Sequence, residues 1–269
     1  MASFLSHVSS SSDRPVLGVG LSLHSLRVAQ VAAMSGAEFV FIDMEHSPLS
    51  AESATQMVHT VAATSRGSCY PLVRVPSHGV EWIKWALDSG AAGIIIPMVD
   101  DVVQMRAIID RAVYPPAGRR SFGPFSAPYA DPAGASSGIA GYMERARRRD
   151  IAILPMIESR EGLANVEDIA ALEEVSGVFI GPFDLRLALG LPGALDGTEV
   201  EFTQALQKII GAAHRHNKPV GTVAMGAETV QRRAVDGVEF VVSSSDSSVL
   251  ATGFQSQLAA AREGIKLAV

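Results

Sequence analysis

The chain is poor in sulfur and in lysine, and each scarcity closes off a kind of chemistry. A single cysteine, Cys69, excludes an intrachain disulfide and a thiolate metal cluster, which suits a reducing cytosol. It precedes an apolar stretch and reads as a buried residue. The only lysines are Lys84, Lys208 and Lys266, in helix-like segments, and Lys218, just before a strand-like one. A Schiff-base enzyme on a barrel needs its lysine at the active face, so carbonyl chemistry here calls for a metal as electron sink. No apolar run reaches the roughly 18 residues of a membrane span, and the start, MASFLSHVSSSSDRP, lacks the layout of a secretory signal. Positive charge is short as well: the net charge of -6 and a pI near 5.6 argue against a nucleic-acid or anionic-membrane partner. The one basic run, Arg145 with Arg147 to Arg149, reads as a solvated helix face, with an anion site as the lesser alternative. These absences predict a soluble, cytoplasmic protein acting on small molecules, with residues 1–13 as a flexible tail.

What is present is apolar and periodic. With 48% hydrophobic residues and a mean hydropathy of +0.23, the 269 residues fit one large domain over 14–269, and no linker-like stretch divides it. Short β-branched runs recur near residues 16–20, 39–43, 70–75, 93–97, 152–157, 177–180, 219–222 and 240–243. Amphipathic segments lie between them, for instance near 26–34, 51–63, 80–89, 102–113, 203–216, 227–235 and 248–265. Gly36, Gly90 and Gly237 stand where helices should stop. Alternation of this kind over roughly 250 residues predicts an α/β fold, a closed (β/α)8 TIM barrel rather than an open doubly wound sheet.

In such a barrel the carboxyl ends of the strands share one face, where the chemistry is done. Five residues sit at predicted strand ends: Asp43, His46, Arg74, Glu158 and Asp184. Glu158 and Asp184 together offer hard oxygen ligands for Mg²⁺, Mn²⁺ or a similar divalent ion. Taken singly, Asp184 could equally cap a short helix and Glu158 pair with Arg160. Asp43, three residues before His46, could fix the imidazole tautomer and prepare a general base, with Glu45 as a rival partner for the ring. Arg74 lies inside the otherwise apolar LVRVP and needs an anion, either Asp43 or Glu45 or a substrate oxyanion. The turn Gly181-Pro182-Phe183 before Asp184 could add backbone N–H donors for a carboxylate. TVAMGA and SSSDSS, after the last two strands, are only weakly like a phosphate cradle. Residues 114–150, rich in Gly, Pro, Ser and Ala, are too long for an ordinary connection, and we read them as a subunit contact and site cover.

The motifs FIDMEHSPLS, PLVRVP, GIIIPMVD, YPPAGRRSFGP, LPMIES and FIGPFDL, in this order from about residue 14 onward, resemble the HpcH/HpaI family of metal-dependent pyruvate aldolases, with spacing closest to its macrophomate synthase-like branch. The resemblance implies Glu158 and Asp184 as ligands of a divalent ion (Mg²⁺, Mn²⁺ or Co²⁺), His46 and Arg74 as catalytic groups, and Asp43 as the histidine's partner. It implies a homohexamer, such as a trimer of dimers, with the last helix swapped to a neighbour. Tyr142 matches a tyrosine placed near substrate in that branch; packing as a loop anchor is the alternative. Met156 stands where many members carry glutamine two residues before the metal glutamate.

The expected activity is reversible cleavage of a 4-hydroxy-2-oxo acid to pyruvate and an aldehyde through a pyruvate enolate, a class II aldolase reaction. Its nearest competitor reaches the same enolate by decarboxylating oxaloacetate. A phosphosugar isomerase would need a phosphate site in the last two loops, and a non-catalytic barrel would tolerate loss of Glu158 and His46. A CoA-ester lyase is disfavoured because no lid domain follows the eighth helix.

Overall fold

The computed structural model describes residues 3–11, 13–130 and 134–267. Residues 1, 2 and 12 of the expected tail, 131–133 of the long connection and 268–269 at the chain end lie outside them. Eight parallel strands close in sequence order: β1 Val16–Leu21, β2 Phe39–Asp43, β3 Tyr70–Arg74, β4 Gly93–Ile96, β5 Ala152–Ile157, β6 Val178–Ile180, β7 Val220–Val223 and β8 Phe240–Ser245. The β-branched and aromatic content of these runs suits strands buried on both faces. Phe39, Phe41, Leu72, Ile95, Leu154, Met156, Phe179 and Phe240 fill the barrel interior. The rings fit because Gly18 and Gly221 lie beside Phe39 and Phe240, where a Cβ would overlap them.

The strand-to-strand connections carry α2 Leu26–Met34, α3 Ala51–Ser65, α4 Val80–Asp88, α5 Val102–Ala112, α6 Gly134–Arg147, α7 Arg160–Ala170, α8 Pro182–Ala188, α9 Val200–Arg215 and α10 Ala227–Asp236. Ser25, Ser50, Asp101 and Ser159 each start a helix by accepting the backbone N–H three residues on. Gly237 ends α10 at φ 97°, a left-handed position that glycine adopts without penalty.

One expectation is corrected and another is narrowed. Residues 1–13 were expected to fray, yet Phe4–Ser10 form a helix, α1, capped by Ser3. Phe4 and Val8, one turn apart, face inward, and the fully buried Phe4 ring meets Phe39 and Phe240 edge to face at 5.7 and 5.3 Å. The segment plugs the amino end of the barrel. The described residues of the long connection 114–150, expected to make a subunit contact and cover either their own site or a neighbour's, lie on the barrel's flank of their own protomer as a short 3-10 turn, Ala127–Ala130, and α6, which leaves only a neighbour's site for them to cover. The turn approaches Gly90 so closely that a Cβ there would lie 2.6 Å from the Ala127 carbonyl.

The final helix, α11 Asp246–Leu267, behaves unlike the others. Every residue from Ser247 to Lys266 is exposed, including Phe254 and Leu258. Among the described residues no helix is long and apolar enough to cross a membrane.

Candidate active site

At the carboxyl end of the strands a cavity of about 550 Å³ is lined by Asp43, His46, Arg74, Glu158 and Asp184 together. The topology explains the convergence. Asp43 ends β2 and stands in register with Arg74, which ends β3; Glu158 follows β5, and Asp184 lies in the first turn of α8 just past β6.

Arg74 is held on three sides. Its Nε and Nη2 donate to Asp43 Oδ1 and Oδ2 at 2.9 and 2.7 Å, Nη1 meets Glu45 Oε2 at 2.9 Å, and the guanidinium stacks 5.1 Å over Phe41. This planar double bond to a carboxylate is geometry that arginine provides and lysine does not. Burial works to raise the Asp43 carboxyl, but Arg74 and the backbone N–H groups of Glu45 and His46 hold it below the ordinary range.

The expected pairing of Asp43 with the His46 imidazole is therefore corrected. Asp43 takes the backbone N–H of His46 at 3.3 Å, while the ring, 65% exposed, approaches Glu45 with Nε2 3.7 Å from Oε2. Strand register delivers the guanidinium to Asp43, and the loop carries the imidazole out over the cavity mouth. Burial raises the Glu45 carboxyl, against the opposing pull of Arg74 and His46.

Glu158 is buried and accepts one backbone N–H, from Met98 at 2.8 Å. Met98 adopts φ 51°, a left-handed conformation costly for this side chain, which turns its amide into the cavity after β4. Burial, together with the nearby charges of Glu45 and Asp184, pushes the Glu158 carboxyl up to about 7. Neither of the alternatives open in the sequence applies: the residue at the start of α8 is Gly181, and Glu158 bonds Met98 rather than Arg160.

Does this corner fit a divalent ion? Arg74 is occupied by Asp43 and Glu45, and among the described residues no ion pair reaches Glu158 or Asp184. Two hard oxygen donors without a cationic side chain of their own, one of them buried, are a fitting donor set for such an ion. No cluster of three or more His, Cys, Asp or Glu side chains set for a metal occurs among the described residues, so substrate and water would complete the coordination.

Other expectations are resolved residue by residue. Gly181, Pro182 and Phe183 line the cavity, but the Gly181 N–H is spent on Ile157 in the barrel ladder and Pro182 has none, so the turn is a poorer donor than expected. Tyr142 is corrected from a substrate contact to a loop anchor: fully buried on the flank, its hydroxyl donates to Leu87 at 2.8 Å and accepts from Arg120 at 2.9 Å. Arg120 also pairs with Asp88, and no described residue of 114–150 lines the cavity. Met156 is buried in the barrel interior at the cavity floor. The SSSDSS loop is no phosphate cradle, because the Asp246 carboxylate itself takes the N–H groups of Ser22, Leu23 and Ser247 at 2.9, 2.8 and 2.7 Å and ties β8 to β1. This clamp, the Met98 amide, and the apolar cavity wall that includes Leu195 and Met225 were not among the features expected from the sequence. A buried aspartate in a serine run was a usable signal for the first, and nothing in the sequence marked the second.

A family model, HpcH/HpaI aldolase/citrate lyase, matches residues 18–252. The chain is 33% identical over 251 residues to a hydroxypyruvate/pyruvate aldolase of Rhizorhabdus wittichii, covering 93% of this chain and 95% of that one. It is 32% identical to a 4-hydroxy-2-oxovalerate aldolase of Novosphingobium aromaticivorans, covering 93% and 91%. Among solved structures, macrophomate synthase superposes with a TM-score of 0.87 at 30% identity, covering 99% of this chain and 91% of that one.

Proposed function

The chain belongs to the HpcH/HpaI aldolase/citrate lyase family, and from that membership and the rim geometry we propose that it is a divalent-metal-dependent aldolase that reversibly cleaves 4-hydroxy-2-oxo acids to pyruvate and an aldehyde. The observation that carries the reading is the meeting of Glu158, Asp184, Arg74 and His46 around one cavity whose only lysine or arginine among the described residues is Arg74.

Glu158 and Asp184 would hold the ion, be it Mg²⁺, Mn²⁺ or Co²⁺. When bound there, it supplies a Lewis acid that polarises the 2-keto group and takes up enolate charge. Arg74, immobilised by Asp43 and Glu45, presents its guanidinium to the oxygen on which negative charge grows, a contact stronger in the transition state than in the ground state. His46, exposed at the mouth, accepts the 4-hydroxyl proton at an imidazole nitrogen. The C3–C4 bond then breaks, its electron pair passing to the pyruvate enolate as the aldehyde carbonyl forms. Asp43 acts on this step by positioning Arg74 and the His46 backbone. The likeness to macrophomate synthase favours one second reading, in which the same enolate forms by loss of CO₂ from oxaloacetate.

The exposed α11 supports a homo-oligomer in which this helix packs on a neighbouring barrel, and the family resemblance implies a hexamer built as a trimer of dimers. Val31 and Met34 on α2 and Val235 on α10, the helices flanking the place an eighth barrel helix would take, are exposed as well. The reading includes a cytoplasmic location, which the single, buried thiol supports.

Incubation of the Mn²⁺-loaded protein with pyruvate and short aldehydes, and separately with oxaloacetate, tests both readings by product. Aldol adducts support the first and CO₂ release the second. Inactivity toward every 2-oxo acid, or activity that survives exhaustive chelation, would overturn both.

A further inference from the structure

The cavity is divided by chemistry. The charged groups come from the ends of β2, β3, β5 and β6; the remaining lining includes Phe183, Leu195, Val223, Met225 and Val242 with Ser22 and Ser245, and among the described residues it has no lysine or arginine. Leu195 comes from the turn joining α8 to α9, and that turn is unusually well fastened. Before it, the buried Arg186 donates through Nε to the Pro192 carbonyl at 3.0 Å and through Nη1 and Nη2 to Glu199 at 2.6 and 2.7 Å. After it, Asp196 accepts from Arg233 at 2.8 Å and also from Arg232, both on α10. Phe183 packs against Gly193 so tightly that a Cβ there would stand 2.6 Å from the ring. Leu195 lies between these fastenings, half-buried, next to the wall it belongs to.

A turn held this way cannot draw back to admit a larger ligand without breaking ion pairs whose arginines, Arg186 and Arg233, are buried. We propose that Leu195, presented by this clamped turn, selects the aldehyde, and that the aldehyde is short, aliphatic and free of phosphate or carboxylate. The inference rests on the aldolase reading. The pyruvate half of the substrate needs the charged side, so the electrophile is left with the apolar one. An anionic tail there would be desolvated with no cation to meet it. Asp196 is a positioning residue in this scheme, since it acts through the turn.

The test uses the Mn²⁺-loaded full chain. Exchange of the pyruvate methyl protons in D₂O, followed by NMR without aldehyde, reports enolisation alone. Aldol addition is then measured with propanal, 2-methylpropanal and glyceraldehyde 3-phosphate. The expected result is exchange, with kcat/KM for propanal at least about tenfold above that for glyceraldehyde 3-phosphate. Leu195→Ala should shift the ratio of 2-methylpropanal to propanal upward by about tenfold, while Leu195→Met, which keeps volume and polarity, should leave the ratio near its starting value. Exchange combined with an unchanged ratio in Leu195→Ala, or with preference for the phosphorylated aldehyde, overturns this inference alone. Absence of exchange overturns the aldolase reading and this one with it.

Discussion

The two ends of the barrel meet their surroundings by opposite means. At the amino end α1 lowers Phe4 onto Phe39, Tyr70 and Phe240, and the nearby charges are matched, with Glu38 bonded to Arg14, His7 and the Leu17 N–H. At the carboxyl end four carboxylates, Asp43, Glu45, Glu158 and Asp184, crowd near one guanidinium, and Met98 is held in a left-handed conformation to give Glu158 its single N–H. One end is optimised for burial and pairing. The other keeps like charges close and a buried acid without a cationic partner, an arrangement that lowers stability and that a bound cation would relieve. The contrast predicts that mutations at the two ends separate function from stability.

The sharpest way to break the contrast is Glu158→Gln. Turnover should fall by about 10³-fold or more along with Mn²⁺ affinity by titration calorimetry, while the urea midpoint holds or rises because a buried charge is gone. A lower midpoint would mean that the carboxyl end is also built for stability. Next in size, Arg74→Lys should cost about 10²-fold in kcat/KM, since an ammonium cannot reproduce the double bond to Asp43 together with the contact to Glu45. At the other end, Phe4→Ala should cost about 3–5 kcal/mol in denaturant unfolding and leave kcat/KM at 25 °C unchanged. A change in turnover there would show the plug reaching the site. The smallest effect concerns pH. Burial opposes it, but Arg14, the Leu17 N–H and His7 bring the Glu38 carboxyl from 4.5 down to about 2, so its contribution is complete above the unfolded value and is lost as pH falls toward the folded one. Glu38→Gln should flatten that acid limb of the stability curve, read by thermal melts across the window.

Much of this was legible in the sequence, for reasons that differ by residue. Strands buried on both faces leave unbroken apolar runs, so every one of the eight appears close to its expected place. Glu158, Asp184, Arg74 and His46 could be singled out because a polar residue at the end of such a run is costly without a task. What stayed hidden were relations set by register and by backbone. That Arg74 rather than His46 would occupy Asp43 depends on β2 and β3 pairing residue for residue, which no local pattern announces. The Met98 contribution is a main-chain amide, and any residue type could supply it. α1 was missed because serines mask it, although Ser3 as a cap and Phe4 and Val8 one turn apart were there to be seen. Tyr142 shows the opposite case: the resemblance offered a substrate contact beside the plainer reading of a loop anchor, and the buried hydroxyl bonded to Leu87 and Arg120 decides for the anchor.

The bare terminal helix has a consequence for anyone handling the purified material. Twenty-two residues of α-helix extend about 33 Å, and those of α11 keep almost no company within their own chain. On the oligomeric reading, the melting temperature is then no fixed attribute of the polypeptide: it climbs with the logarithm of concentration, and dilution alone erodes it. Two laboratories working a hundredfold apart in micromolar would report different proteins from one tube.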